Sequence, residues 1–140
     1  MSTETLEMPA ALPAVKSGVS PYLTLDGAMK AAEFYVKAFG AEIAIAMPPD
    51  PKGRYMHIHL YINDSSVMLS DPFDDHGHPF VPPAGFMLNI EADDADRWAN
   101  RAIAAGCEVV LPVQEMFWGA RYGQVKDPFG VVWSFNQANK

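Results

Sequence analysis

His57 and His59 are the residues of this chain whose type and spacing most readily support chemistry. They lie in the run Tyr55–Ile62, where Ile58, Leu60 and Ile62 alternate with His57, His59 and Tyr61. Such alternation predicts a half-buried strand that sends both imidazoles to one side. A histidine of near-neutral pKa can give a proton, take one or ligate a metal. The competing reading is a pair of rings that hydrogen-bond to neighbouring strands or face solvent. With Glu91 or Asp71 the pair could instead make up a three-ligand metal site.

Other residues offer less. Trp118, Arg121 and Tyr122 fall in Gln114–Tyr122, which reads as a loop. An aromatic–guanidinium set there suits an anionic or planar ligand. His76-Gly77-His78 beside Asp74 and Asp75 reads as a solvated loop in preference to a metal site. Cys107 has no histidine or cation adjacent in sequence, so it reads as a small buried hydrophobe in preference to a nucleophile.

The elements that must position these residues come in two similar halves. Tyr22-Leu-Thr-Leu25 precedes a helix-like run that stops at Gly40, and Leu88-Asn-Ile90 precedes another that stops at Gly106. Each glycine suits the positive φ of a helix C-terminus. Asp26 in the first half and Asp93 or Asp94 in the second are the expected N-caps. The predicted strands are Val19–Leu25, Ala41–Met47, Tyr55–Ile62 and Val67–Asp71, then Phe86–Ala92, Glu108–Leu111, Gly123–Lys126 and Val131–Asn136. The helices are Ala28–Phe39 and Ala95–Ala105. The result is an α+β chain of two βαβββ modules, an approximate internal repeat. We expect a tail over 1–17 and a single domain over 18–137. That domain divides into module one, 18–72, a proline-rich linker loop, 73–84, and module two, 85–137.

Composition narrows the function. A chain of 140 residues can bury a core as one domain, and 49% hydrophobic residues describe an ordinary globule. A formal charge of -7 repels nucleic acid phosphates. No apolar run is long enough to span a bilayer, so no membrane role is expected. The stretch Met1–Glu7 has two acids and no basic residue, unlike a secretory leader. The single cysteine precludes an internal disulfide and fits a reducing cytoplasm. No glycine-rich loop follows a strand with an acid downstream, so a Rossmann-type nucleotide cofactor unit is not indicated.

Several motifs, in order and spacing, resemble one family. They are Asp26-Gly27-Ala28 before the first helix, Glu33-Phe34-Tyr35 within it and Phe39-Gly40-Ala41-Glu42 at its end. Gly53-Arg54-Tyr55-Met56-His57 opens the third strand, and Met68-Leu69-Ser70-Asp71 lies in the fourth. Phe117-Trp118-Gly119-Ala120-Arg121-Tyr122-Gly123 and Asp127-Pro128-Phe129-Gly130 come late. Together they resemble the vicinal oxygen chelate superfamily of glyoxalases, bleomycin-resistance proteins and extradiol dioxygenases, in its PhnB-like branch.

The resemblance implies that the modules form an open barrel around a concave cavity. It also implies a divalent metal held by the first and last strand of each module, acting as a Lewis acid on a small oxygenated substrate. Carried onto this chain, the four ligand positions fall on Ser20, on Met68 or Ser70, on Met87 and on Ser134. Hydroxyls and thioethers are poor ligands for such ions. The expectation is therefore no cofactor and no metal at the usual site. The cavity face would carry Ser20, Tyr22, His57, His59, Met68, Ser70, Met87, Asn89 and Ser134, closed by Trp118, Arg121 and Tyr122. Leu23, Leu25, Ile58, Leu60, Leu88, Ile90, Trp133 and Phe135 would pack under the helices.

Two functions compete on this reading. One is metal-free binding of a small molecule, as in bleomycin-resistance relatives. The other is a lyase, isomerase or dioxygenase that uses a displaced metal or His57 and His59 as acid and base. A homodimer is the expected assembly, both from the resemblance and because two-fold pairs are the commonest oligomers.

Overall fold

The computed structural model describes residues 11–139. Both halves are βαβββ, as the repeat predicts. The first contains β1 (Tyr22–Thr24), α1 (Ala28–Phe39), β2 (Glu42–Ala46), β3 (Ile58–Ile62) and β4 (Ser65–Ser70). The second contains β5 (Met87–Glu91), α2 (Ala95–Ala105), β6 (Glu108–Met116), β7 (Ala120–Lys126) and β8 (Val132–Ala138). Each half folds its strands into a four-stranded sheet, in the orders β1-β4-β3-β2 and β5-β8-β7-β6. The outer pairs β1/β4 and β5/β8 are parallel, and the other pairs are antiparallel. A 3-10 turn, Asp74–His76, interrupts the segment after β4. No helix among the described residues is long and apolar enough to cross a membrane.

Two compact units follow from the contacts. The first takes in residues up to Val36 together with Gly40–Val81. The second holds Lys37–Phe39 and the chain from Pro82 onward. In the first unit Ala28, Ala31, Ala32 and Tyr35 form the buried stripe of α1, at the spacing of one helical face. Leu23, Leu25, Ile58, Leu60 and Leu69 are buried with them. In the second unit Trp133 and Phe135 are buried, and Phe39 lies 4.5 Å from Trp133 between ring centroids. Ala95, Ala99 and Ala102 supply the buried face of α2. Of the eight residues expected under the helices, Leu88 alone is only half-buried.

The helix stops are as expected. Gly40 adopts φ 66°, and the amides of Gly40 and Ala41 donate to Val36 O and Tyr35 O, at 3.1 Å each. Asp94 caps α2 by accepting from Arg97 N at 3.1 Å. The start of α1 differs from expectation. Gly27, at φ 96°, is the N-cap residue, and no side chain of its own segment caps the helix. Asp71, beyond the end of β4, accepts from Gly27 N at 3.0 Å and Ala28 N at 2.9 Å. A distant carboxylate thus replaces Asp26, which sequence proximity had favoured.

Strand boundaries moved where a backbone group is diverted. β1 starts at Tyr22 and leaves Val19 and Ser20 outside, because Pro21 has no N–H to give; its carbonyl still accepts from Met68 N at 2.9 Å. β3 starts at Ile58 because Tyr55 N donates to Asp71 Oδ2 at 2.7 Å. The largest correction is in the second half. β6 runs through Pro112 to Met116, and the predicted loop Gln114–Tyr122 is the tip of a β-hairpin, with Arg121 and Tyr122 on β7. Pro112 is tolerated because β6 is an edge strand. The register shifts between Val109 and Leu111 and between Leu111 and Gln114 erase the alternation that would have marked the strand.

Of the expected 1–17 tail, residues 1–10 lie outside the described residues. The part that follows adds to the first sheet. Tyr61 Oη donates to Ala14 O at 2.6 Å, and Lys16 N donates to Ser66 Oγ at 2.8 Å. Lys16 Nζ pairs with Asp64 at 2.7 Å and sits 4.2 Å from the Tyr61 ring centroid.

Candidate functional site

An open pocket of about 390 Å³ in the first unit is lined by Tyr22, Thr24, Met56, Ser70, Asp71, Phe73, His76 and His78. β1 and β4 run in parallel register, Tyr22 with Met68 and Thr24 with Ser70, so Tyr22, Thr24 and Ser70 fall on one face of the sheet. The segment after β4 supplies the rest. Phe73 and His78 bridge as an antiparallel pair around the 3-10 turn, and this closed loop sets His76 and His78 at the pocket wall.

Arg54 holds that loop in place. Its Nε donates to Asp50 Oδ2 at 2.9 Å, and its two terminal nitrogens donate to the two Asp75 oxygens at 2.7 and 3.2 Å. The guanidinium carbon stands 4.4 Å from the centroid of the Phe73 ring. Hydrogen bonds from the guanidinium hold the Asp75 carboxyl well below the usual carboxylate range. For Asp50, the backbone N–H of Arg54 leads the same downward shift. Asp71 is buried and takes three backbone N–H groups, from Gly27, Ala28 and Tyr55. Its carboxylate lines the pocket and ties together the backbone at Gly27, Ala28 and Tyr55.

The two histidines have different surroundings. His57 is half-buried, and its Nδ1 lies 2.8 Å from Tyr22 Oη. His59 is buried, with Nε2 at 2.7 Å from Ser66 Oγ, the same oxygen that accepts from Lys16 N. Burial lowers the pKa of both, and for His59 the neighbouring His57 adds to the effect. Their ring centroids are 6.4 Å apart. His59 thus ties β3 to β4 and to the segment at Lys16, while His57 adjoins the pocket through Tyr22.

The remaining sequence-predicted residues distribute as follows. Ser20 is half-buried ahead of β1, its Oγ 3.4 Å from Ser17 Oγ. Met68 is half-buried in β4 and registers with His59. The others belong to the second unit. Ser134 is buried and donates to Asn89 Oδ1 at 2.8 Å, while Asn89 Nδ2 donates to Glu91 at 2.6 Å. Tyr122 Oη lies 3.6 Å from Met87 Sδ, and its ring meets Trp118 edge-on at 5.5 Å. Arg121 is bound by both oxygens of Asp96 on α2, at 2.9 and 3.0 Å. Its guanidinium is therefore engaged with a helix, whereas the loop reading had left it open to a ligand.

Sequence reasoning placed Tyr22 and Ser70 at a site and missed Thr24, Met56, Phe73 and the wall-forming role of His76 and His78. Only the aromatic and imidazole content of the 73–78 segment marked it in advance.

The donor set does not fit a divalent metal at the four positions the resemblance assigns. Ser20, Met68 or Ser70, Met87 and Ser134 offer neutral hydroxyls and thioethers, and the Ser134 hydroxyl is hydrogen-bonded to Asn89. The displaced set also fails to assemble. Asp71 is committed to backbone amides, and no group of three or more His, Cys, Asp or Glu side chains is placed to hold an ion among the described residues.

Comparison with known proteins gives a consistent picture. Mb0911c of Mycobacterium bovis is 38% identical over 129 residues, which cover 88% of this chain and 84% of that protein. Among solved structures, the PhnB protein from Bacillus cereus superposes with a TM-score of 0.63 at 19% identity, covering 87% of this chain and 100% of that one. TnmS3, an antibiotic binding protein from Streptomyces sp. CB03234, superposes with a TM-score of 0.64 at 23% identity, covering 94% of this chain and 100% of its own. At these identities the two structures show a shared fold. The model of the Glyoxalase/Bleomycin resistance protein/Dioxygenase superfamily matches residues 23–135, and the chain belongs to that family.

Proposed function

We propose that this chain binds a small planar molecule in the pocket of its first unit and does so without the divalent metal of the superfamily's enzymes. The observation that carries the reading is the donor set: none of the residues at the four ligand positions is a histidine or a carboxylate. A Lewis-acid reaction would need at least some of them to be anionic or imidazole donors. The pocket walls support binding, since Tyr22, Met56 and Phe73 give apolar surface and Thr24 and Ser70 give polar points beside it. The antibiotic binding neighbour supports a binding role on this fold, although fold alone does not assign one.

The test is elemental analysis and native mass spectrometry on protein purified without an affinity tag, followed by a thermal-shift panel of aromatic metabolites and antibiotics. The expected result is no stoichiometric metal and at least one compound that raises the melting temperature. Stoichiometric metal that survives dialysis, with turnover that depends on it, would overturn the reading.

The same reading takes the chain as a cytoplasmic homodimer. Light scattering at micromolar concentration is expected to give twice the chain mass of 15.3 kDa. A mass equal to one chain would refute the dimer.

A further inference from the structure

The sheet face that lines the pocket continues past it. Tyr22, at the pocket, registers with Met68 of β4, and Met68 registers with His59 of β3. The next row along the same face is Ser66 opposite Tyr61. Residues 14–16 lie against that row as a strap. Ser66 N donates to Lys16 O at 3.0 Å, and Lys16 N donates back to Ser66 Oγ at 2.8 Å. Tyr61 Oη donates to Ala14 O at 2.6 Å. Ser66 Oγ also meets His59 Nε2, and both side chains are buried. The strap itself is weakly held. Leu12 and Val15 are 64% and 56% exposed, so little apolar surface fastens it. Its ion pair joins Lys16 to an Asp64 side chain that is 85% exposed. At its C-terminal end Ser17 sits at φ 103°, a costly conformation for a residue with a side chain. Gly18 follows, with open space where a Cβ would stand.

We propose that residues 14–16 swing away about Ser17 and Gly18, extending the pocket along the sheet face to Tyr61 and Ser66, so that the site takes planar molecules of several fused rings. This rests on the pocket being the binding site. The pocket of about 390 Å³ alone suits one or two rings. The row Tyr22, Met68 and His59 supplies an apolar and aromatic floor for the next ones. Release of the strap relieves the strain at Ser17 and frees the Tyr61 and Ser66 hydroxyls from the strap backbone. Those hydroxyls then become hydrogen-bonding points at the far end. The long ligand is accordingly one whose outer ring carries hydroxyl or carbonyl oxygens. Its affinity is set in part by the fraction of molecules with the strap open.

The experiment has a ligand-free arm and a binding arm. Both use the full chain. Amide hydrogen exchange should be faster at Ser66, whose acceptor is the strap carbonyl of Lys16, than at Met68, whose acceptor is Pro21 O beyond the pivot. Lys16→Ala and Asp64→Asn each remove the exposed ion pair and should speed exchange at Ser66 about threefold while leaving Met68 unchanged. Asn is well suited to the left-handed turn at 64. A Ser66 amide as protected as that of Met68 overturns the strap and leaves the pocket reading intact. In the second arm doxorubicin, with four fused rings, is titrated beside 1-naphthol, with two. Both variants should bind doxorubicin about threefold more tightly than wild type, in step with the exchange, and 1-naphthol equally. Doxorubicin affinity that does not change with the strap variants, or no binding of doxorubicin, overturns the extension. The panel described above decides the binding role separately.

Discussion

The Asp71 carboxylate accepts the amide hydrogen of Ala28 at 2.9 Å, across more than forty residues of sequence. In the second half, the side-chain oxygen of Gln137 accepts from Ala95 N at 2.8 Å. Ala28 and Ala95 each open a helix, and each acceptor follows the strand residue whose carbonyl receives the last amide of the parallel pair, Leu25 N to Ser70 O and Ala92 N to Asn136 O. Both modules thus cap the helix from their final strand. The first does so with a carboxylate that also serves Gly27 and Tyr55, and the second with a neutral amide that adds to the local Asp94 cap.

This difference predicts unequal sensitivity. Asp71→Ala strands three amides and should cost roughly 2–4 kcal/mol, whereas Gln137→Ala should cost about 1 kcal/mol because Asp94 remains. Urea denaturation of both variants checks the ordering. Equal losses would mean that the carboxylate is no more than a helix cap.

Arg54 should matter for the pocket more than for the global fold. Its ion pairs with Asp50 and Asp75 are partly exposed, and solvent screening leaves such pairs little weight in global stability. Arg54→Gln is expected to raise hydrogen exchange at residues 74–78 while shifting the unfolding midpoint little. Unchanged exchange there would show that the Phe73–His78 bridge holds the loop alone.

Acid should destabilise the protein through its histidines. The folded-state pKa of His57 and of His59 lies below the usual 6.5, both chiefly from burial. The unfolded chain therefore binds more protons in that window, and stability present above about pH 6.5 is lost as pH falls toward the depressed values. Thermal melts from pH 8 to pH 5 should show the decline. His59→Gln should flatten it; an identical slope would place the sensitivity elsewhere.

Gly123 is required by close approach, not by its backbone angle. A Cβ there would stand 2.7 Å from Val113 Cγ2, 2.9 Å from Val113 N and 3.0 Å from Leu111 O, where bulged β6 crosses it. Gly123→Ala should cost roughly 1–3 kcal/mol by overpacking, read as a lower denaturant midpoint. A neutral result would mean that the edge strand shifts to make room.

Cys107 should be inert in the native state. It is buried, and burial pushes its thiol up to about 12, so it stays protonated at pH 8. Thiol titration with a disulfide reagent should be slow natively and complete in urea; rapid native labelling would contradict the burial.

The repeated strand, helix and glycine stop were legible in the sequence because each rests on local physics. Ala28, Ala31, Ala32 and Tyr35 recur at the helical period, Gly40 and Gly106 supply positive φ, and Ile58, Leu60 and Ile62 alternate at the strand period. The absence of histidine and carboxylate at the four ligand positions was equally a matter of residue type. Tertiary structure alone decided what depends on partners distant in sequence. Asp71 displaced Asp26 as the cap of α1, Asp96 captured Arg121, and Arg54 drew the 73–78 loop into the pocket wall. Pro112 and the register shifts around it hid the length of β6, since an edge strand tolerates breaks in alternation that a sequence pattern cannot distinguish from a loop. Hydrogen bonds and ion pairs between remote side chains and backbone are satisfied only once the chain is folded, and most of the geometry of the pocket is made of them.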